Sequence, residues 1–404
     1  MHSKITTSSF TEAANGLVWL VISDVEACLE IEAQLRSGGF SNIEVYHQAD
    51  DCQKVFETGQ TPDLIIASAS LLSIENLSLI KYIRETDRGA NFPILVATNP
   101  QEIFIQRKAL NIGVTALLAL PLDSAIVVTQ AYNLVRAYRL NTELEAFKSR
   151  VSSELKVAQR LQQSLLPSER SIDKCKQTTG LDISFALHSS SELSGDFWGV
   201  KDVHDGMLTI FIADLVGHGI AAAANTFRLH EIITSEELIG SDLLDFVARV
   251  NSRFHQNTPA DVFAALMVGQ FDLALGTFKY VSAMATSPIF WRSGASLPLM
   301  LDTAGVPLGA TDDPRYEAHS IPFYPGDRLF FYSDALIEAP SKKGGMLGSL
   351  MPCEIVTKAI LQEARSVIGS VEELFCQEAK NPLHDDLTLL FISSHPEGIP
   401  TSAE

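Results

Sequence analysis

Hydrophobic and polar positions divide the chain into three stretches with different periods. In the first, apolar runs of strand length occur at Leu17–Ile22, Ile43–Tyr46, Leu64–Ala67, Ile94–Ala97 and Val114–Ala119. Between them, residues 25–37, 49–58, 76–85 and 100–112 carry apolar side chains at helical spacing. Strands alternating with helices of this length predict βαβ units and a parallel sheet. Five such strands in about 110 residues predict a flavodoxin-like doubly wound α/β domain over 16–125, with any site at the carboxyl ends of its strands.

The second stretch lies between Pro121 and Pro167, with no proline or glycine between them. Apolar or small residues recur at Leu140, Leu144, Phe147, Val151, Leu155, Ala158, Leu161 and Leu165. The steps of three and four make a heptad-like seam with one stutter. The pattern predicts one helix over 126–166, far longer than a usual globular helix. A lone helix exposing such a seam is costly, so the expectation is a coiled coil that joins two copies of the chain.

The third stretch, 170–396, alternates over short strands at Leu208–Ala213, Ala264–Phe271, Phe278–Ala283, Arg328–Tyr332 and Leu387–Ile392. Helical periods occur near 220–257 and 352–377. Strands with segregated helices predict an α+β domain. The Ser- and Thr-rich residues 1–15 and the tail 397–404 are expected to be loose.

Composition narrows the function. The 404 residues allow two or three domains. Against 30 basic side chains stand 49 acidic ones, a formal net charge of −19. That disfavours nucleic acids and anionic membranes as partners and fits carboxylates that hold cations. Five scattered cysteines without a C-x-x-C pair predict neither a disulfide framework nor a zinc site. No signal-peptide pattern and no long apolar run is present, so a cytoplasmic location is expected.

The first stretch resembles the receiver domain of bacterial response regulators, through "WLVISDVEA", "PDLIIASAS", "PILVATN" and "LLALP". In that family the third strand ends in a phosphate-accepting aspartate, which here is Ser68. The acidic pair after the first strand is reduced to Ser23 and Asp24, and the family's lysine is Leu120. Only Thr98 matches. An acyl phosphate needs a carboxylate. The resemblance therefore implies a degenerate receiver that docks an unknown regulator, with Asp24 and Thr98 as solvated loop-end residues.

Four aspartates in the third stretch sit near strand ends: Asp196 in "SGDFWG", Asp214 in "FIADLVGHG", Asp334 in "RLFFYSDALIE" and Asp385 in "HDDLTLL". A carboxylate leaving a buried strand needs water, a donor or a cation. Carboxylates far apart in sequence can converge on hard divalent ions. The set, with "GVPLGA" at 305–310 and "ELKVAQRLQQSLLP" at 154–167, resembles the PPM (protein phosphatase 2C) superfamily, and within it the sporulation protein E branch. The resemblance implies a β-sandwich flanked by helices and metal-dependent hydrolysis of phosphoserine or phosphothreonine with Mn²⁺ or Mg²⁺. Carried over by motif, Asp214 would bridge two ions and the Leu215 carbonyl would be a further ligand. Asp334 and Asp385 would complete one ion, and Asp196 the other. Asp214 and Asp196 are thus the implied catalytic pair.

Several positions depart from that branch. Its second aspartate in the first motif is Gly199, the glycine after the third-motif aspartate is Ala335, and a Gly-His pair is Met284-Ala285 in "SAMATSP". Lys342 and Lys343 in a segment expected to be flexible could meet a phosphoprotein, although a solvated loop accounts for them as well. His218 could donate a proton, although a structural role accounts for it too. Two functions follow from the resemblance. The first is a phosphatase acting on an anti-sigma-factor antagonist of the STAS type in partner switching. The second is a non-catalytic adaptor of a sigma factor, pairing a receiver with a PPM-like domain. An adaptor has no need of four acidic positions in four motifs, which favours the enzyme.

Overall fold

A computed structural model of the chain describes residues 14–69, 77–86, 91–204, 206–217, 219–238, 242–362, 366–380 and 383–395. The expectations for 1–13, His218 and the tail lie outside the described residues. The chain divides into two compact units, Met1–Val151 and Ser152–Glu404. No helix among the described residues is long and apolar enough to cross a membrane.

The first unit alternates strands and helices: β1 (Val18–Val21), α1 (Val25–Ser37), β2 (Ile43–Tyr46), α2 (Ala49–Glu57), β3 (Leu64–Ser68), α3 (Leu77–Glu85), β4 (Ile94–Thr98), α4 (Ile103–Asn111) and β5 (Ala116–Ala119). The strands form one parallel sheet in the order β2-β1-β3-β4-β5. Successive side chains on a strand face opposite ways. Trp19 and Val21 therefore join Ile65, Val96 and Phe56 of α2, while Val18 and Leu20 join Leu64, Leu95 and Ile31 of α1. Both faces are buried, which is why these strands read as continuous apolar runs. The Arg139 guanidinium donates to both oxygens of Asp63, at 3.1 and 2.8 Å, and the Leu17 amide donates to the same carboxylate. The Asn15 carbonyl accepts from the Asn42 side-chain amide at 3.0 Å, so Asn15 itself, expected to be loose, is fastened.

Helix α5 (Ser124–Gln163) is one element of 40 residues, close to the 126–166 expected. Val127, Ala131 and Val135 complete the core of the first unit. Further along, Leu140, Leu144 and Phe147 are about half exposed, at 54, 48 and 55%.

The second unit opens with α6 (Glu169–Thr179). Ten strands follow: β6 (Leu181–His188), β7 (Asp196–His204), β8 (Met207–Leu215), β9 (Ala264–Asp272), β10 (Thr277–Ala283), β11 (Ile289–Trp291), β12 (Leu299–Met300), β13 (Ala318–Pro322), β14 (Arg328–Tyr332) and β15 (Leu387–Ser394). They pair into two antiparallel sheets, β13-β10-β9-β8-β7 and β12-β11-β14-β15-β6. Alternation then builds the layers. Ile210 and Ile212 of β8 meet Leu329 and Phe331 of β14 and Leu390 of β15 between the sheets. Phe211 and Ala213 point outward onto α7 (Ile220–Ser235) and α8 (Leu243–Asn257). Phe330 and Leu389 point the other way, onto α10 (Met351–Leu361) and α11 (Val367–Glu378), with the short α9 (Ala335–Glu338) beside them. Each large side chain so buried contributes about 1.5–3 kcal/mol.

Gly199 explains one departure in the first motif. A Cβ there would lie 2.3 Å from the Phe211 ring of its cross-strand partner, so the site of the family's second aspartate is filled by an aromatic ring.

Candidate active site

The ends of four strands bring the four aspartates together. Asp196 begins β7 and lies directly opposite Asp214 in the antiparallel pair with β8. By alternation both share the face of Trp198 and Ile212, between the sheets. Asp334 follows β14 and precedes α9, and Asp385 precedes β15. All four, with Leu215, line one cavity of about 270 Å³.

Two carboxylates directly opposite on a buried pair repel each other. Asp196 is 2% exposed, and burial, then the charge of Asp214, holds its carboxyl well above the usual carboxylate range. The Thr388 hydroxyl of the opposing sheet donates to Asp196 Oδ2 at 2.7 Å and works the other way. Burial, then the charge of Asp334, pushes Asp214 up to about 7. Burial, then Asp385, pushes Asp334 up to about 6. Asp334 Oδ1 is buried and has no hydrogen-bond donor. No lysine, arginine or histidine is among the described residues that line the cavity. Carboxyls raised at Asp196, Asp214 and Asp334, a bare oxygen and no basic neighbour among the described lining residues fit divalent cations.

Among the described residues no three His, Cys, Asp or Glu side chains close around a single point. Gly195 supplies room beside the Leu215 carbonyl. A Cβ at Gly195 would come within 3.0 Å of the Leu215 carbonyl oxygen and 3.2 Å of that of Gly217.

Two supporting residues escaped the sequence reading. Asp386 is 2% exposed and accepts from the Ser190 amide at 2.6 Å, the Ser190 hydroxyl at 2.9 Å and the Gly195 amide at 2.6 Å. It ties the loop that carries Asp196 to β15. The adjacent pair Asp385-Asp386 was the available signal, because alternation turns neighbours to opposite sides. Gln162, near the end of α5, is the second. Its amide nitrogen donates to the Ser194 carbonyl at 2.5 Å and its oxygen accepts from the Ser194 amide at 2.9 Å. The helix therefore grips the backbone two residues before Asp196.

Other expectations are corrected. Lys342 donates to the carbonyls of Cys376 and Gln377 at the end of α11, and Lys343 pairs with Glu378 at 2.7 Å. Segment 340–348 is further fixed by the Lys342 amide bonding the Glu378 carbonyl and the Lys380 amide bonding that of Pro340. It is a fastened turn, and its ammonium groups have local partners. In the first unit two placements agree with expectation: Ser68 ends β3, and Asp24 is an exposed loop-end residue that caps α1 by accepting from the Glu26 and Ala27 amides. Thr98 is not solvated: it is 1% exposed and donates to Glu102 Oε2 at 3.3 Å.

Residues 204–395 match the family model described as Stage II sporulation protein E (SpoIIE). These residues, most of the second unit, form a SpoIIE-family phosphatase domain. The chain is 24% identical over 272 residues to the phosphoserine phosphatase RsbU of Bacillus subtilis strain 168, covering 67% of this chain and 78% of that protein. It is 24% identical over 198 residues to the phosphoserine phosphatase RsbP of the same organism, covering 48% of this chain and 47% of RsbP, about half its length. Among solved structures, the SiaA-PP2C domain of Pseudomonas aeruginosa has a TM-score of 0.54 at 18% identity, over 62% of this chain and 99% of that domain. The SpoIIE-family domain of this chain holds Asp214, Asp334 and Asp385 within the matched residues, with Asp196 just before them. Its Met284-Ala285 pair lies at the mouth of the same cavity.

Proposed function

We propose that the chain is a metal-dependent protein serine/threonine phosphatase governed by its first unit. The carboxylate cavity carries the reading: four aspartates from four strand ends share one space without a basic neighbour among its described lining residues, and burial and mutual repulsion raise the carboxyls of Asp196, Asp214 and Asp334. Asp214 would hold two divalent ions, Mn²⁺ or Mg²⁺, with the Leu215 carbonyl as a further ligand; Asp334 and Asp385 would complete one ion and Asp196 the other. Such ions, when bound, lower the pKa of water and neutralise phosphoryl oxygens during in-line displacement.

The chain's own groups do the rest. Asp196 and Asp214 release their retained protons as cations enter. Thr388 orients Asp196, and Asp386 and Gln162 hold its loop. Attack of water on phosphorus breaks the bond to the seryl oxygen, which takes up a proton, and serine and inorganic phosphate leave. The substrate is a phosphoprotein, and the names of RsbU and RsbP as phosphoserine phosphatases support that choice. A STAS-type anti-sigma-factor antagonist in the cytoplasm is the proposed partner. Retention of all four acids speaks against the adaptor.

Residues 16–125 are assigned as the degenerate receiver, 126–166 as the dimerising linker and 170–396 as the phosphatase domain. The strand order β2-β1-β3-β4-β5 supports the first assignment, being one of the two common doubly wound orders. The half-exposed seam of α5 supports the second. Hydrolysis of an aryl phosphate by the full chain tests the proposal. Turnover is expected with Mn²⁺, is abolished by chelation and is lost in Asp334→Ala. Turnover that survives chelation would contradict it.

A further inference from the structure

We propose that Met284, with Val216, Phe263, Val306 and Pro307, forms a docking rim that selects phosphoserine segments with apolar, uncharged side chains next to the phosphoserine. The proposal rests on the phosphatase reading and names the substrate class of that site. Met284 is the one non-glycine residue with positive φ among the described residues, at 61°. That left-handed backbone is costly for a residue with a Cβ and free for glycine. The neighbours Ser282 and Ala283 are buried at 1 and 0%, yet Met284 is 58% exposed. A strained backbone thus holds an apolar, adaptable side chain out over the mouth of the carboxylate cavity.

The surroundings continue the surface. The Ser282 hydroxyl accepts from the Ala285 amide at 3.2 Å and fixes the bend. Gly305 lies so near the Ser282 carbonyl that a Cβ would come within 2.6 Å, which seats the turn bearing Val306 and Pro307 beside Met284. The Val216 amide donates to the Phe263 carbonyl at 3.1 Å, and Val216 and Val306 are 53 and 40% exposed. Phe263, Pro307 and Val216 line the cavity with Met284.

The occupant follows from chain geometry. A phosphoseryl group that reaches the aspartates enters through this mouth. An extended peptide advances only about 3.3–3.6 Å per residue, so the residues on either side of the phosphoserine must lie on the rim. The rim residues Val216, Phe263, Met284, Val306 and Pro307 are uncharged, so an acidic or a lysine flank would give up water for an apolar surface.

The test is steady-state hydrolysis by the full chain with Mn²⁺, using an aryl phosphate and phosphoserine peptides flanked by Leu, Ser, Asp or Lys. The Leu-flanked peptide is expected to exceed the Ser-flanked one about five- to tenfold in kcat/KM, mainly through KM. In Met284→Gly that advantage is expected to fall to about twofold or less, and in Met284→Leu to persist. Met284→Gly also relieves the left-handed backbone, so it is expected to melt no lower than the parent. An equal kcat/KM for all peptides, a preference for Asp or Lys flanks, or an advantage that survives Met284→Gly would overturn the rim. Aryl phosphate turnover without peptide discrimination refutes the rim alone. Absence of turnover on every substrate refutes the phosphatase reading and the rim with it.

Discussion

Asp214→Asn is expected to stabilise the metal-free protein above neutral pH while abolishing hydrolysis. Burial and the charge of Asp334 raise the Asp214 carboxyl from an ordinary 3.8 to about 7. At about 1.36 kcal/mol per pKa unit, keeping it ionised in the folded state costs about 4 kcal/mol. Asparagine still buries a polar group and leaves Asp196 in place, so about half of that, ~2 kcal/mol, is the expected gain. For the second unit, residues 152–404, this corresponds to a rise in Tm of about 4–8 °C. The sign follows from proton linkage. The folded protein keeps the Asp214 proton up to about pH 7, whereas the unfolded chain loses it near 3.8. Stability held at low pH is therefore lost as pH rises through that window, and the variant escapes the loss. At pH 5 parent and variant are expected to melt alike. With Mn²⁺ in excess the order reverses at pH 8, because binding to the folded state stabilises the parent by about 2.7 kcal/mol at 100 times Kd. Thermal melts at pH 5 and pH 8, in chelator and in Mn²⁺, read all four conditions. A variant less stable than the parent at pH 8 in chelator, or equally advantaged at pH 5, would refute the reasoning.

Asp386→Ala leaves the amides of Ser190 and Gly195 without their acceptor and is expected to cost about 3–5 kcal/mol in urea unfolding. A loss under 1 kcal/mol would show that the loop does not depend on it. Gln162→Ala removes both bonds to Ser194 and is expected to lower kcat tenfold or more through displacement of Asp196, at about 1–3 kcal/mol of stability. An unchanged kcat would disconnect the helix from the site. The seam of α5 predicts a sedimenting mass near twice 44.1 kDa, reduced to one chain by Leu144→Glu with Phe147→Glu. A monomeric parent at micromolar concentration would remove the coiled coil.

Legibility followed the strength of the periodic signal. The buried parallel strands of the first unit are continuous apolar runs between helices, and each lies within two residues of its expected limits. The long helix was legible because nothing interrupts it between two prolines. In the second unit β8, β9, β10, β14 and β15, each of five residues or more, were found, whereas β6, β7, β11, β12 and β13 were not; β11 is buried throughout but has only three residues. β7 opens on a charged residue and breaks register near Val200, β12 has two residues, and β13 is an edge strand with three exposed positions. Motif spacing brought out the four aspartates of the cavity. Asp386 and the grip of Gln162 on Ser194 were missed because a polar side chain satisfied by distant backbone leaves no local pattern, and the burial of Thr98 because the spacing around it reads as a loop end. The partners of Lys342 and Lys343 were invisible for the same reason, since they lie on a helix more than 30 residues away. The outward set of Met284 depends on a backbone angle that no composition or period reports.

The central claim is that the aspartate cavity hydrolyses phosphoserine with divalent metal. Release of inorganic phosphate from a phosphoserine-bearing protein by the full chain, in Mn²⁺ and in chelator, tests it most directly, with Asp214→Asn as control. The account predicts steady release in Mn²⁺ only, and a loss of at least about a thousandfold in the variant. Equal release by parent and variant, or none by the parent with Mn²⁺ bound, would contradict it.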